Sequence, residues 1–260
     1  MAGSPVMGDH FLQSGHGVRF EWGPAGAEQL AREVTCLVVV DVLSFTTSVS
    51  VAVESGARVF PYPWRDETAH AFAEQMDAEL AVGRRAVSRD APWSLSPAAL
   101  RRAPFAPRLV LPSPNGSTIS AAANGAAVVA GCLRNATAVA AWLAGHGYGT
   151  TAERAVGVVA AGERWPDGGL RPAVEDLLGA GAVIASLRRL TGGEASLSAE
   201  ARIAAAAFRA SADVGQDLRD SVSGRELIGG GFPEDVSIAA ELDACPLVPV
   251  LTGGAFSAAR

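Results

Sequence analysis

Apolar residues in this chain come in short runs of about five, each followed by a polar turn and then by a stretch with apolar positions at helical spacing. The runs at 18–22, 36–42, 58–62, 108–112, 127–130 and 154–160 predict strands, and 246–251 predicts a last one. The segments at 25–32, 45–54, 66–79, 117–123, 136–144, 172–190 and 198–212 predict helices. Pro172 suits a first helical turn, where its missing N–H costs nothing, and Ser198 suits an N-cap. Residues 91–107 are rich in Pro and Ser and read as loop, with a short helix at 97–101. Strand and helix in alternation imply an α/β fold of three layers, with a largely parallel sheet and helices on both faces. The chain, 1–260, is expected to form a single domain, in which about 18–107 and 108–260 could make two lobes.

Chemistry-bearing residues gather where the predicted strands end. In CLVVVDVLSFTTSVS (36–50) an apolar run meets Asp41, and Ser44, Thr46, Thr47 and Ser48 open the next helix. Open α/β sheets bind ligands at such ends: a carboxylate there can hold a metal or act as base or nucleophile, and helix-start N–H groups can hold an anion. In LPSPNGSTIS (111–120), Asn115, Gly116 and Ser117 occupy an equivalent turn, and glycine lets backbone approach a ligand closely. Asn-Gly is also an ordinary turn pair. Asn135 and Thr137 in GCLRNATAVA (131–140) stand at a third helix start, where an N-cap role would account for Asn135. The most charged turn, AAGERWPDGGLRPAVEDLLGAG (160–181), holds Glu163, Arg164, Asp167 and Arg171, then Glu175 and Asp176 in the first turns of a helix. The helix dipole alone favours acids there. The residues after Asp176 are small and apolar, so the helix is expected to be buried, and a buried carboxylate needs a cation or donors. Arginine supplies the planar fork that suits phosphate or sulfonate.

Composition narrows the partners. A net charge of -6, with 21 Lys and Arg residues scattered along the chain, argues against nucleic acid. Cys36, Cys132 and Cys245 lie far apart and outside metal-ligand spacing, which points to reduced thiols in a cytoplasmic protein. His10, His16, His70 and His146 are not paired at zinc-ligand spacing. The first residues lack a basic start followed by an apolar stretch, and no apolar run nears the roughly 20 residues of a membrane span. The alanine-rich helices could supply a homodimer interface, although alanine equally marks tight helix packing.

Taken in order, these segments resemble the magnesium-dependent 2-phosphosulfolactate phosphatase family. The matching pieces are VVVDVLSFTTSV around Asp41, SPNGS at 113–117, LRNATAVA at 133–140, AAGERWPDGGLRPAVEDLLGAGAVI at 160–184 and GFPEDVSIAAELDACPLVPVL at 231–251. The resemblance implies a phosphatase that removes phosphate from a sulfonated three-carbon acid on the route to coenzyme M. The chain departs from the family pattern in four places. Ser44 stands where a DVLRAT pattern carries Arg, and Thr118 follows Asn115-Gly116-Ser117 where the pattern reads NGTR. Gly83-Arg84-Arg85 stands for GER, and Leu95-Ser96-Pro97 for Asn-Ser-Pro. If the missing arginines hold a sulfonate or carboxylate, the substrate differs.

The expected reaction is hydrolysis of a small anionic phosphomonoester. Asp41, Glu175 and Asp176 are the expected Mg2+ ligands, with Asp41, Glu163 and Arg164 as catalytic residues. Ser44, Thr46, Thr47, Asn115, Gly116, Ser117, Asn135 and Arg171 are the expected substrate contacts. Phosphoryl transfer asks chiefly for positioning and charge stabilisation, which a metal ion and oriented N–H groups supply. A metal-activated water is preferred to attack by Asp41, because the Asp-x-Asp-x-Thr order of aspartate-nucleophile phosphatases is missing. The alternatives are a family member that binds a phosphorylated or anionic molecule without turnover and, on alternation alone, a nicotinamide oxidoreductase, against which the lack of a glycine fingerprint counts.

Overall fold

The computed structural model describes residues 10–63, 66–122 and 125–259; the expectations for residues 1–9 and for a helix end at 123 lie outside them. Strand and helix alternate as expected through β1 (Val18–Trp22), α1 (Gly23–Leu30), β2 (Cys36–Val40), α2 (Phe45–Glu54), β3 (Arg58–Tyr62), α3 (Glu67–Gln75) and β4 (Glu79–Leu80). The order continues with α4 (Pro97–Arg102), β5 (Arg108–Pro112), α5 (Gly116–Ala121), β6 (Ala127–Gly131), α6 (Ala136–Gly145) and β7 (Val156–Ala160). A two-stranded hairpin of β8 (Glu163–Arg164) and β9 (Leu170–Arg171) precedes the long α7 (Val174–Leu190) and α8 (Ala199–Ala210). Three short helices, α9 (Val214–Asp220), α10 (Val222–Gly229) and α11 (Pro233–Ala239), lead to the terminal pair β10 (Pro249–Thr252) and β11 (Ala255–Ala258).

Burial along β2 shows why the layers form. All five of its side chains are buried, with Cys36, Val38 and Val40 in one apolar layer and Leu37 and Val39 in the other. Alternate residues of a strand point to opposite faces, so a continuous apolar run requires cover on both. Leu143 of α6, Val183 and Leu187 of α7 and Ala204 of α8 cover the first face; Leu30 of α1, Phe45 and Val49 of α2 and Ile119 of α5 cover the second. This is the expected three-layer α/β arrangement.

The large sheet has the order β1-β7-β2-β6-β10-β11-β3-β5-β4. Pairing is parallel within β1-β7-β2-β6 and within β3-β5-β4, but antiparallel at β6-β10, β10-β11 and β11-β3. Three reversals in a row make the two parallel groups run in opposite directions. Strands from 18–107 and from 108–260 interleave in this one sheet. Helix α2 touches β6, β10, β11 and β3, and so spans the antiparallel middle of the sheet. The turns after β2 and β5 meet where the N–H of Gly116 reaches the carboxylate of Asp41.

Several boundaries differ from the sequence expectation. Pro172 lies two residues before α7, because β9 holds the chain extended to Arg171 and Ala173 is the extended N-cap. Strands β4, β8, β9 and β11 and helices α9 to α11 were not expected. Each helix has only seven or eight residues, too few to show a periodicity, although Asp213 and Ser221 cap α9 and α10 by accepting from Gln216 N and Gly224 N.

Candidate active site

Asp41 follows β2 directly and is buried at the end of the strand. Its Oδ1 accepts the N–H of Phe45 at 3.0 Å, and its Oδ2 accepts the N–H of Gly116 at 3.2 Å. The helix starts of α2 and α5 thus meet on one carboxylate, where their positive ends favour charge. A Cβ at residue 116 would lie 2.2 Å from Phe45 Cδ1, so only glycine brings this backbone so close. Burial nevertheless raises Asp41 to a pKa of about 6; the Glu175 charge pushes upward too, while the two N–H bonds and Arg84 pull down.

Asp176 ties two strand ends together from the first turn of α7. Its Oδ1 accepts from Val42 N at 2.7 Å and its Oδ2 from Gly162 N at 2.8 Å, just beyond β2 and β7. Burial, then repulsion from Asp41 and Glu175, raises its carboxyl well above the ordinary range. Glu175 beside it is 2% exposed, and no described residue donates a hydrogen bond to it. Glu163 accepts from Asn115 Nδ2 at 3.1 Å. Burial and the charges of Asp41 and Glu175 push it up to about 7, against the pull of Arg171 and Asn115. Four carboxylates from three segments therefore crowd one place, and the ionisation of Asp41, Glu163 and Asp176 is held back there.

Two arginines flank them. In the β8–β9 hairpin Glu163 pairs with Arg171 and Arg164 with Leu170, which puts Arg171 on the face of Glu163 and Arg164 on the other. The exposed Arg164 donates to Gly168 O at 3.4 Å and lines the cleft beside Glu163, while the charge that lowers Glu163 is that of Arg171. Arg171 is 12% exposed and anchored by Ser223 Oγ at 3.2 Å and by Glu226 at 3.8 Å. Arg84, beside Asp41, hydrogen-bonds Ser44 Oγ and pairs with the buried Asp235 at 2.8 Å.

Other expected contacts are turned inward. Thr46 Oγ1 bonds the backbone of Asp41, and Thr47 Oγ1 donates to Val42 O, so both hydroxyls lock the turn after β2. Asn135 accepts from Cys132 N and donates to Ala130 O, fixing the end of β6. Ser117 Oγ is buried with no hydrogen-bond partner among the described residues. A cleft of about 240 Å³ opens next to Asn115 and Glu163, is lined also by Arg164, and is walled by Pro24, Ala161 and Leu170. Arg84 and Asp235 were not expected as site residues; the sequence signals were that Arg84 breaks the family's GER pattern and that Asp235 lies in the matching GFPED segment.

The site can accept a proton at Glu163 or give one up near neutral pH, attract a cation through its carboxylates and grip an anion through Arg84 and Arg171. No helix among the described residues is long and apolar enough to cross a membrane. A family model described as 2-phosphosulpholactate phosphatase matches residues 25–254. Over 222 residues, 84% of this chain and 88% of the relative, the sequence is 32% identical to a Deinococcus radiodurans protein named "Probable 2-phosphosulfolactate phosphatase".

Proposed function

The chain belongs to the 2-phosphosulfolactate phosphatase family, and on that footing we propose that it hydrolyses 2-phosphosulfolactate, or a close sulfonated phosphoester, with the help of Mg2+. The supporting observation is the junction of four mutually repelling carboxylates, Asp41, Glu163, Glu175 and Asp176, with two half-buried arginines.

The donor set suits Mg2+, which takes oxygen ligands and relieves the crowding of negative charge. Among the described residues no three acidic, histidine or cysteine side chains converge closely enough to cage a metal. A looser site fits this ion, which commonly keeps several waters and binds through one or two carboxylates plus substrate phosphate. Glu175, free of hydrogen bonds from described residues, is the leading proposed ligand, with Asp41 beside it; Asp41 and Asp176 each accept backbone N–H bonds on both oxygens, and each oxygen keeps a lone pair that the ion can use. When bound, Mg2+ would neutralise phosphoryl charge and favour attack by water.

The protein's own groups supply the rest. Arg84 and Arg171 bind the equatorial and remote oxyanions, and the wall of Pro24, Ala161 and Leu170 keeps water from one side of the cleft. Water adds to phosphorus as the bridging P–O bond breaks; protonated Glu163 gives its proton to the leaving alkoxide oxygen, and the surplus proton that water brings to the phosphate returns to Glu163. With both Asp41 oxygens bonded to backbone N–H groups, water is favoured over Asp41 as nucleophile. Phosphate release from a panel of sulfonated and unsulfonated phosphoesters, with and without Mg2+, tests the proposal. Preferred, Mg2+-dependent turnover of the sulfonated ester is expected; tight binding of that ester without release would favour a binding protein.

A further inference from the structure

Arg84 projects from the loop whose ends are joined by the Val82–Ser94 bridge, between β4 and α4. Its Nε donates to Asp235 Oδ2 at 2.8 Å, its Nη2 donates to Ser44 Oγ, and its guanidinium lies 5.9 Å from the centre of the Phe232 ring. Asp235 is 1% exposed on α11, and its Oδ1 accepts from Ser96 Oγ and, at 3.1 Å, from Ala98 N. One buried carboxylate therefore joins α11, the start of α4 and the Arg84 loop. Of the five N–H groups of a guanidinium, these contacts use two. Three remain without a partner among the described residues, on a side chain 17% exposed whose charge reaches Asp41.

We propose that Asp235 is a positioning residue: through its buried pair with Arg84 it aims the unused edge of that guanidinium at a tetrahedral oxyanion of the substrate, phosphoryl or sulfonate. The anion grip is then set from α11 and not from the strand-end turn that carries Ser44. That the anion belongs to a phosphoester rests on the hydrolysis reading above; the pairing and its consequence for anion binding do not.

Calorimetry on the full chain with inorganic phosphate and with methanesulfonate separates the two anions. The proteins compared are wild type, Arg84→Ala, Asp235→Asn and the double variant, with KM and kcat measured alongside. Each single variant should weaken at least one anion about tenfold, the loss expected for a charge-assisted contact, and raise KM more than it lowers kcat. The double variant should be no more than about twofold worse than Arg84→Ala, because Asp235 acts through Arg84. Ser96→Ala, which removes another partner of the same carboxylate, should lower the melting temperature but leave anion affinity unchanged. If Asp235→Asn does not fold, Arg84→Lys carries the test: one ammonium cannot keep the pair and present a fork, so anion binding should fall. Anion affinity unchanged in Asp235→Asn or Arg84→Lys, or losses that multiply in the double variant, overturns the proposal. Intact anion binding without turnover of any ester counts against hydrolysis alone.

Discussion

The carboxylate of Asp41 accepts the backbone N–H of Gly116 at 3.2 Å, joining the turns after β2 and β5 across 75 residues of sequence. A Cβ on residue 116 would sit 2.2 Å from the Phe45 ring and 3.0 Å from Asp41 Oδ2. Gly116→Ala must push both aside. It should cost ~1–3 kcal/mol of stability, as overpacking does, and lower turnover at least about tenfold. Urea unfolding and phosphate release check this, and a variant with wild-type stability and rate would show that the contact is slack.

Asp176 holds the ends of β2 and β7 through Val42 N and Gly162 N. An amide in its place keeps one acceptor and sets an NH2 group against an N–H donor. Asp176→Asn should therefore destabilise the protein by ~1–3 kcal/mol, the cost of an unsatisfied buried group. Equal unfolding midpoints for variant and wild type would contradict the bridging role.

The register of the β8–β9 hairpin ranks the two arginines. Arg171 pairs with Glu163 in the register and its charge acts on that carboxylate, whereas the exposed Arg164 lines the rim of the cleft. Arg171→Ala should raise KM for an anionic ester about tenfold or more, and Arg164→Ala less than about threefold. Steady-state kinetics on the two variants decides the order, and a larger effect at Arg164 would reverse the assignment.

The raised carboxyls make a signed statement about pH. Asp41 rises to about 6, Glu163 to about 7, and Asp176 rises as well, each chiefly through burial. Ordinary carboxyls titrate near ~4, so above that pH the folded state holds protons that the unfolded chain has released. The stability these groups contribute is complete below the unfolded value and is lost as pH climbs through 6 and 7. Glu33 and Glu241, held low by arginine hydrogen bonds, act oppositely, but only as pH falls below the ordinary range. Without Mg2+ the urea midpoint should therefore be lower at pH 7.5 than at pH 5.5, and Mg2+ should narrow the gap. A midpoint that rises with pH would show that the cluster does not repel itself as described.

Much of this architecture was legible because apolar runs such as 36–40 are covered on both faces, a condition that sequence periodicity reports directly. The reversal of the β3-β5-β4 group was not, since it depends on single antiparallel bridges, Val250 with Val129 and Phe256 with Val59. In the site, Asp41 and Glu163 stand out as acids after strands, and Glu175 and Asp176 as acids in the first turn of a buried helix. Thr46, Thr47 and Asn135 look equally functional in sequence but spend their polar atoms on backbone, a distinction only coordinates make. Ser44 and Arg84 read as unrelated departures from the family pattern, 40 residues apart; in space their side chains are hydrogen-bonded to each other.

The carboxylate junction faces its most direct trial in kcat/KM for Mg2+-dependent phosphate release from 2-phosphosulfolactate, measured for wild type, Asp41→Asn and Glu175→Gln. Both substitutions keep the size of the side chain and remove one charge. The expected result is turnover by wild type and a loss of about 100-fold or more in each variant, roughly 2.7 kcal/mol of transition-state stabilisation. Variants that hydrolyse the ester within about twofold of wild type would place the chemistry elsewhere in the molecule.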